Sequence, residues 1–380
     1  MKVEQRHWTD SKGWIGTSDL RESAQLVIIF GGRDALSQRE LVEETRKQYP
    51  EAMAIGCSTA GEIAGTGVYD NSIVATAIEF ADTQIKRADV LVSETDSSTD
   101  AGKQLGAALE TEGLKHVFVI SDGQNVNGSE LVAGLTAALP TSVSLTGGLA
   151  GDGPRFEKTL TFTAGNPIEG AISAIGFYGD KLRVGFGSFG GWDSFGPMRQ
   201  VTRSEANVLY ELDGKPALEL YKKYLGEHAD GLPATGLLFP LSVKLPHRED
   251  HLVRTILAVD EDQQSLTFAG NIPEGSIAQL MRANFERLID GASGAAQSSF
   301  DSIGDSASPE LAILISCVGR KLVLKQRTED EVESVRDVLG EDTVLTGFYS
   351  YGEICPSSPQ ADCELHNQTM TVTTFRELDD

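Results

Sequence analysis

A short pattern that occurs three times restricts the fold of this chain more than any other feature of its sequence. An apolar run ends in Gly, and a second Gly then precedes an acid; the copies are AIGCSTAGEI at 54–63, LTGGLAGDG at 145–153 and LTGFYSYGEIC at 345–355. Four residues separate the two glycines in the first and third copies, and three separate them in the second. An internal repeat of this kind has to be explained before any local element is assigned.

The same order of elements precedes each copy of the pattern. The apolar runs 26–30, 117–120 and 311–315 predict strands. A helix start follows each run, because a capping residue stands three positions before a Glu in the pairs Ser37/Glu40, Asn127/Glu130 and Thr328/Glu331. We therefore predict an α/β fold with mixed sheets, in two modules built from repeated strand–helix–strand units that each end in a glycine loop.

Two other regions lead to specific predictions of secondary structure. Thr202 and Glu205 have capping-box spacing, so residues 201–212 are predicted as a helix. Residues 276–290 are predicted as another helix, and residues 291–308 (GASGAAQSSFDSIGDSAS) as a linker because small residues dominate them.

Composition limits the cellular role of the chain. Its 380 residues carry a formal net charge of −24, which opposes binding to nucleic acids and to anionic membranes. The N-terminal residues lack the apolar segment of a signal peptide, and no run approaches the roughly 20 apolar residues of a membrane helix. Four cysteines lie far apart without a CxxC pair, which is typical of reduced thiols. We predict a cytoplasmic protein that binds neither nucleic acid nor membranes.

The glycine loops are the first candidate for a ligand site. Loops of Gly and small hydroxyl residues present backbone N–H groups, which favour an anion or a polar ligand. Glu62, Asp152 or Glu353 would then meet an ammonium group, while loop amides meet a carboxylate. The alternative is that the glycines only turn the chain and each acid caps the next element. The predicted ligand-binding residues in the loops are Gly56, Cys57, Ser58, Thr59, Gly61, Glu62, Gly147, Gly148, Asp152, Tyr349, Ser350, Tyr351, Gly352 and Glu353.

Catalytic and metal sites receive less support. Cys57, or Tyr349 and Tyr351 beside Glu353, could serve an enzyme, but no base is paired with a nucleophile and no GxSxG or nucleotide-binding motif is present. The sequence therefore predicts a protein that is not an enzyme. Histidine spacing gives no HExxH or structural zinc motif; only His247 and His251, four residues apart in LPHREDHLVR, share a segment.

With these segments in this order, the chain resembles the FIST family of sensory proteins along nearly its whole length. The matching segments are GCSTAGEI, GGLAGDG, GWDSFGP, GLLFPLSV, LVRTILAVD, FAGNIPEGSIAQLM and GFYSYGEICP. The resemblance implies four regions: a lead-in at 1–23, a FIST N-type module at 24–230, a FIST C-type module at 231–360, and a C-terminal strand and tail at 361–380.

The resemblance also implies a function. FIST proteins sense a small ligand and transmit the signal to a partner. The resemblance implies that this chain is a stand-alone sensor acting on a histidine kinase or a cyclic-di-GMP-metabolising protein. It is also compatible with a homo-oligomer. Similarity to the NosP type implies nitric oxide sensing through haem b, with His251 as the ligand of the haem iron and His247 as the second choice. Arg254, in the same segment, is counted with the ligand-binding residues. The alternative is a haem-free sensor of a small polar metabolite, such as an amino acid, in the glycine-loop cleft.

Overall fold

The computed structural model describes residues 1–246, 251–304, 308–357 and 361–378. His247, one of the two predicted haem ligands, lies outside the described residues. Three units of similar order follow one another along the chain, and a further segment is inserted into the third.

Unit 1 covers residues 2–79 and unit 2 covers residues 84–178. Unit 1 contains β1 (Lys2–Thr9), β2 (Gly13–Ile15), β3 (Leu26–Gly32), α1 (Arg33–Leu36), α2 (Arg39–Gln48), β4 (Met53–Thr59), β5 (Glu62–Ala64), β6 (Gly67–Tyr69) and β7 (Ile73–Glu79). Unit 2 contains β8 (Gln84–Leu91), α3 (Ser98–Ala108), β9 (Leu114–Ser121), α4 (Gly128–Ala138), β10 (Ser144–Leu149), β11 (Thr161–Thr163), β12 (Asn166–Ile168) and β13 (Ala171–Tyr178).

Unit 3 begins with β14 (Leu182–Phe189) and is interrupted by an inserted segment, residues 192–283. The inserted segment contains β15 (Trp192–Glu205), β16 (Val208–Leu212), β17 (Lys215–Pro216), α5 (Ala217–Leu225), β18 (Leu241–Lys244), β19 (His251–Arg254), β20 (Ile256–Asp260), β21 (Ser265–Phe268) and β22 (Ile277–Ala283). Unit 3 resumes with α6 (Phe285–Ile303), β23 (Leu311–Cys317), α7 (Val318–Leu324), α8 (Thr328–Leu339), β24 (Val344–Ser350), β25 (Gly352–Pro356), β26 (Cys363–His366) and β27 (Met370–Glu377).

Each unit contains the predicted strand–helix–strand segment, and its two strands are parallel neighbours in one sheet. The pairs are β3–β4, β9–β10 and β23–β24, with α2, α4 and α8 in their connections. A return strand, β7, β13 or β27, lies antiparallel to the first strand of its pair. Parallel strands need such a crossover, and strands covered on both faces read as continuous apolar runs, which is why 26–30 is entirely buried. The three strand–helix–strand units and the mixed α/β fold are thus confirmed.

The units exchange hairpins in a cycle. The hairpin β5–β6 pairs with β24 of unit 3, β11–β12 pairs with β4 of unit 1, and β25–β26 pairs with β10 of unit 2. The resulting sheets run β12-β11-β4-β3-β7-β1-β2, β26-β25-β10-β9-β13-β8 and β14-β27-β23-β24-β5-β6, while the inserted segment forms β19-β18-β22-β15-β16-β21-β20. Strand pairing therefore follows a threefold division and crosses the module boundary predicted at 230, which stays a prediction.

The inner faces of the three sheets share one hydrophobic core. Phe30 and Phe348 place their ring centroids 4.6 Å apart, and Phe177 and Phe375 place theirs 5.3 Å apart. The first pair connects unit 1 to unit 3, and the second connects unit 2 to unit 3. Aromatic side chains bury a large apolar area, so these contacts stabilise the junction of the units. The same packing makes β27, in the predicted tail, an interior strand of its sheet.

Only one of the three predicted helix caps is confirmed. The Asn127 side chain accepts hydrogen bonds from the amides of Ser129 and Glu130 at the start of α4. Ser37 instead donates to the Arg33 carbonyl, and α2 begins two residues later, at Arg39. Thr328 lies inside α8 and donates to a carbonyl of the preceding turn. Small hydroxyl residues bond several nearby backbone groups, so the pattern does not fix which end of a turn they occupy.

The predictions for 201–212 and for 291–303 are also wrong; residues 305–307 of the predicted linker lie outside the described residues. Residues 201–212 form parts of the β15–β16 hairpin, and 276–290 is split between β22 and α6. The small-residue segment continues α6 as far as Ile303 because this helix packs very closely on β14. A Cβ on Gly185 would lie 2.0 Å from the Ser299 carbonyl oxygen. Small residues here allow close packing, and they do not mark a linker.

Candidate functional site

The three glycine loops meet and hydrogen-bond to one another. The Ala60 amide donates to the Tyr349 carbonyl at 2.8 Å, and the Gly151 amide donates to the Ser58 carbonyl at 2.9 Å. The Tyr351 amide completes the cycle by donating to the Leu149 carbonyl at 3.2 Å. The loops that the sequence singled out are therefore brought together, at a junction of all three units.

The first glycine of each copy is required by close backbone packing. A Cβ would lie 1.8 Å from the Ile29 carbonyl oxygen at Gly56, 1.8 Å from that of Val119 at Gly147, and 1.9 Å from that of Leu314 at Gly347. Each of these carbonyls belongs to the parallel neighbour strand. The repeated glycine is explained by strand packing without any ligand.

Glu62 and Glu353 occupy equivalent places and are bound by protein groups. Glu62 accepts from the amide and hydroxyl of Ser72 at 2.9 and 2.8 Å, and also from the Thr59 hydroxyl. Glu353 accepts from the Ser350 hydroxyl at 2.6 Å and from the amide and hydroxyl of Thr369 at 3.2 and 2.9 Å. Burial raises the pKa of Glu62 to about 7 and that of Glu353 to about 8, although these hydrogen bonds oppose the rise.

Asp152 is held in a different way. Its carboxylate pairs with the Arg33 guanidinium at 2.8 Å and accepts from the Tyr351 hydroxyl. The amides of Phe156 and Lys158 also donate to it, at 2.9 and 3.1 Å. The carboxylate is fully buried and orders the loop that follows it.

The remaining polar residues of the loops also have protein partners. The Ser58 hydroxyl accepts from the Leu160 amide at 2.8 Å, and the Tyr349 hydroxyl donates to Glu331 at 2.6 Å. Burial raises the pKa of the Cys57 thiol well above its ordinary value, which disfavours the thiolate that a nucleophile needs. Gly148, Gly61 and Gly352 pack against side chains of neighbouring units. The ligand role predicted for the loops stays a prediction, but their polar groups are already used within the fold.

His251, the predicted ligand of the haem iron, is the first residue of β19. It is exposed, and its Nδ1 atom lies 3.1 Å from the Ser242 hydroxyl. A haem needs apolar walls for a large flat ring beside the proximal imidazole. The described residues do not test the haem prediction, which stays a prediction. Within the same residues no group of three His, Cys, Asp or Glu side chains is placed to hold a metal ion.

Arg254, three residues further along β19, lines a cleft between the inserted segment and unit 2. We call this space, of about 440 Å³, the Arg254 cleft; its walls include Ser129, Val132, Ala133 and Thr136 of α4, Leu252 and Arg254 of β19, and Leu365 of β26. Asn271 fastens the inserted segment to the start of α4, since its side-chain oxygen accepts from Asn127 Nδ2 at 2.7 Å. Gly270 leaves room for the guanidinium, because a Cβ there would lie 3.2 Å from Arg254 Cζ.

Among the described residues, the Arg254 guanidinium is buried without a carboxylate in contact. The residue is 4% exposed, and its partners in that part of the chain are the backbone carbonyls of Asn271 at 3.1 Å, Leu365 at 3.0 Å and Val253 at 3.3 Å. Within the described ranges, Nη2 has no acceptor and no carboxylate lies within 4.0 Å of this side chain. Burial lowers its pKa to about 10, a sign that the buried cation lacks compensation, which Glu364 supplies only in part.

Comparison with known protein families shows which family the chain belongs to. The FIST N domain model matches residues 25–215, and the FIST C domain model matches residues 217–356. The chain belongs to the FIST family. FIST domains are associated with sensing and signal transduction.

Two further similarities were found for this FIST protein. It is 24% identical over 375 residues to an uncharacterized protein of Methanocaldococcus jannaschii, covering 87% of this chain and 70% of the relative. Among solved structures, a cyanuric acid hydrolase from A. caulinodans aligns with 78% of this chain and 100% of its own, at 12% identity and a TM-score of 0.20. Agreement at that TM-score carries no argument about fold or activity.

The walls of the Arg254 cleft come from both FIST matches. Its α4 face lies in the FIST N match, β19 lies in the FIST C match, and Leu365 follows both. The sequence prediction included Arg254 but missed the α4 face, Asn271 and Leu365, because nothing in their spacing relates them. The available signal was the run of small residues in GSELVAGLTAA, which leaves space along one helix face. No described helix of this FIST protein has the length and apolar content to cross a membrane.

Proposed function

We propose that this FIST protein is a cytoplasmic sensor that binds a small zwitterionic metabolite, such as an amino acid, in the Arg254 cleft. The supporting observation is the Arg254 guanidinium, which is buried, faces the cleft and has no contacting carboxylate among the described residues. A ligand carboxylate would supply the missing counter-charge by accepting from Nη2, the guanidinium nitrogen that has no acceptor among the described residues.

The other walls of the cleft suit the rest of such a ligand. Asp362 lines the same space and provides negative charge for an ammonium group. Val132, Ala133 and Leu252 offer apolar surface to an aliphatic side chain. The proposal keeps the haem-free alternative drawn from the sequence, but moves the site from the glycine loops to the boundary between unit 2 and the inserted segment.

The position of the cleft suggests how binding becomes a signal. One wall belongs to unit 2 and the other to the inserted segment, so a bound ligand bridges the two. A ligand that prefers one arrangement of these walls shifts the population towards it. A partner histidine kinase or cyclic-di-GMP-metabolising protein would then read the altered surface.

Thermal unfolding in the presence of L-leucine and of its two half-analogues tests this proposal. 4-Methylpentanoate lacks the ammonium group, and 3-methylbutylamine lacks the carboxylate. We expect a panel of amino acids to include at least one that stabilises the fold by about 2.7 kcal/mol at 100 times its Kd. Analogues of that ligand lacking either charge should stabilise the fold much less.

Two variants at Arg254 and one control locate the site. Arg254→Met should abolish the stabilisation, and Arg254→Lys should weaken it while keeping the positive charge. Arg46→Met, at an exposed arginine of α2, should leave it unchanged. Stabilisation that persists in Arg254→Met, or a panel without any stabilising amino acid, would contradict the proposal.

A further inference from the structure

A second groove lies on unit 1 at the position equivalent to the Arg254 cleft. We call it the Arg46 groove; Arg39, Val42, Glu43 and Arg46 of α2 form one wall, and Leu160 and Pro167 beside the β11–β12 hairpin form the other, around about 680 Å³. A neighbouring space of about 500 Å³ shares Glu43 and Arg46 with it, so the groove continues past Arg46.

The equivalence follows from the repeat. Arg39, Val42, Glu43 and Arg46 line this groove, and Ser129, Val132, Ala133 and Thr136 line the Arg254 cleft, so each pair is 90 residues apart. In both units the second wall is the hairpin received from the next unit, β11–β12 or β25–β26. The inserted segment covers the groove of unit 2 with Leu252 and Arg254. The described residues of the inserted segment do not contribute to the walls of the Arg46 groove.

From this comparison we infer that the Arg46 groove binds an acidic, extended segment of a partner protein. Three cations, Arg39, Arg46 and Lys158, line it together with two carboxylates, Glu43 and Glu169. The chain as a whole has a net charge of −24, so this local excess of positive charge contrasts with the rest of the molecule. Complementary charge steers an acidic partner to such a place.

The cations of the groove differ in how they are paired. Lys158 forms an ion pair with Glu169, so it contributes no excess charge. Arg39 and Arg46 are more accessible to a partner. Arg39 is 90% exposed, and its bond to Glu43 at 2.8 Å is a solvent-exposed ion pair that exchanges at little cost. Arg46 lies flat over the hairpin tip, since a Cβ on Gly165 would lie 2.9 Å from its Nε atom. Its Nη1 atom is 3.4 Å from Asn166 Oδ1, and no carboxylate among the described residues lies within 4.0 Å of it.

The groove favours side-chain contacts over the addition of a strand. The sheet edge next to it is β12, whose middle residue Pro167 has no amide to donate to an added strand. Val42 and Leu160 form a buried apolar floor, and Ile168 is half-buried beside them. The ten residues of α2 extend over about 15 Å, the length of about five residues of an extended peptide. The fitting occupant is therefore a short segment with acidic residues around an apolar one.

Selection of peptides from a phage library of random dodecapeptides tests this inference on the full-length protein. We expect the selected peptides to be enriched in Asp and Glu around an apolar residue. Synthetic versions should bind the unmodified protein with an affinity that falls steeply with salt. Arg46→Glu should weaken them by at least about tenfold, because it reverses charge at the centre of the groove. Arg203→Glu, at an exposed arginine of the inserted segment, is the matched control and should bind like the unmodified protein.

Other outcomes would overturn the inference. Selected peptides that are neutral or basic, or that bind Arg46→Glu unchanged, would show that the groove does not select acidic segments. Failure to select any peptide that depends on Arg46 would do the same. Sedimentation that shows self-association lost in Arg46→Glu would make a second copy of this chain the occupant. None of these results depends on the ligand proposed for the Arg254 cleft.

Discussion

The Arg254 cleft and the Arg46 groove are two versions of one structural position. Each lies between the helix of a unit and a hairpin received from the next unit, and the residues on the helices correspond at a constant interval of 90. In unit 2 the inserted segment narrows the space to about 440 Å³ and buries a guanidinium in its wall. In unit 1 the space of about 680 Å³ is lined by cations that face solvent.

The two grooves share the repeated framework of helix and hairpin, and they differ in whether the inserted segment covers them. Water solvates an exposed cation, so pairing it with an anion changes the free energy little. A buried cation without a counter-ion has lost that solvation, so an anion that binds beside it stabilises it more. The same groove therefore becomes a small-molecule site when covered, and a surface suited to a peptide when open. The covering segment decides between these outcomes, and the glycine loops that repeat in the sequence support the framework beneath both.

The largest expected effect concerns that shared framework. Gly56→Ala and Gly147→Ala should each destabilise the protein by more than about 4 kcal/mol, because the added Cβ would lie 1.8 Å from a carbonyl oxygen of the neighbouring strand. Gly153→Ala, at a positive φ of 71° but with open space around it, should cost only about 1–2 kcal/mol. Denaturant unfolding measures all three, and a mild effect at either Gly56 or Gly147 would break the equivalence of units 1 and 2.

A matched pair of tryptophan substitutions should separate the two grooves. Ala133 and Glu43 correspond by the interval of 90 and are respectively exposed and half-buried. Ala133→Trp should fill the Arg254 cleft and remove the ligand stabilisation of about 2.7 kcal/mol expected at 100 times Kd. Glu43→Trp should leave that stabilisation intact and block acidic peptides. Thermal unfolding and peptide titration on both variants check this, and loss of both activities in one variant would show that the sites are not independent.

A smaller effect is expected from the acid buried in unit 1. In the unfolded chain Glu62 titrates near 4.5, whereas in the fold its pKa is about 7. Between these values the folded state holds the extra proton, so the free energy of unfolding should fall as pH rises, by about 1.4 kcal/mol per pH unit.

Glu62→Gln should remove this contribution to the pH dependence, and Glu44→Gln, at an exposed position of α2, should not. Glu353, with a pKa of about 8, should add a similar slope from unit 3. Unfolding curves measured from pH 5 to pH 8 give the comparison. An unchanged slope in Glu62→Gln would show that Glu62 is already ionised in the fold.

We expect no absorption band of protein-bound haem when haem is added. His251 is exposed and its Nδ1 atom lies 3.1 Å from the Ser242 hydroxyl, so we expect titration to produce no stoichiometric Soret band. The spectrum should be the same for the unmodified protein and for His251→Ala. A Soret band that shifts with nitric oxide and is lost in His251→Ala would instead restore the NosP-type prediction.

Local patterns predicted the repeated elements because each pattern acts within a few residues. The apolar runs became buried parallel strands, and the Asn127 cap became the start of α4. Patterns of small residues were less informative, since Gly185 and the Gly/Ala run of α6 reflect close packing between elements far apart in sequence. The predicted caps at Ser37 and Thr328 are wrong because both hydroxyl groups donate to backbone carbonyls of the preceding turn.

The sequence by itself determined the threefold repeat of strand, helix, strand and glycine loop, because helix starts and apolar runs are local patterns. The close strand packing that requires glycine at Gly56, Gly147 and Gly347 was visible only in the tertiary structure. Only the tertiary structure decided which hairpin pairs with which unit, and that Arg254 lies against α4. The electrostatic free energy of a charged side chain depends on the solvent and counter-ions around it. These depend in turn on which distant segments pack together. For that reason Arg254 and Arg46 look alike in the sequence and differ in the fold.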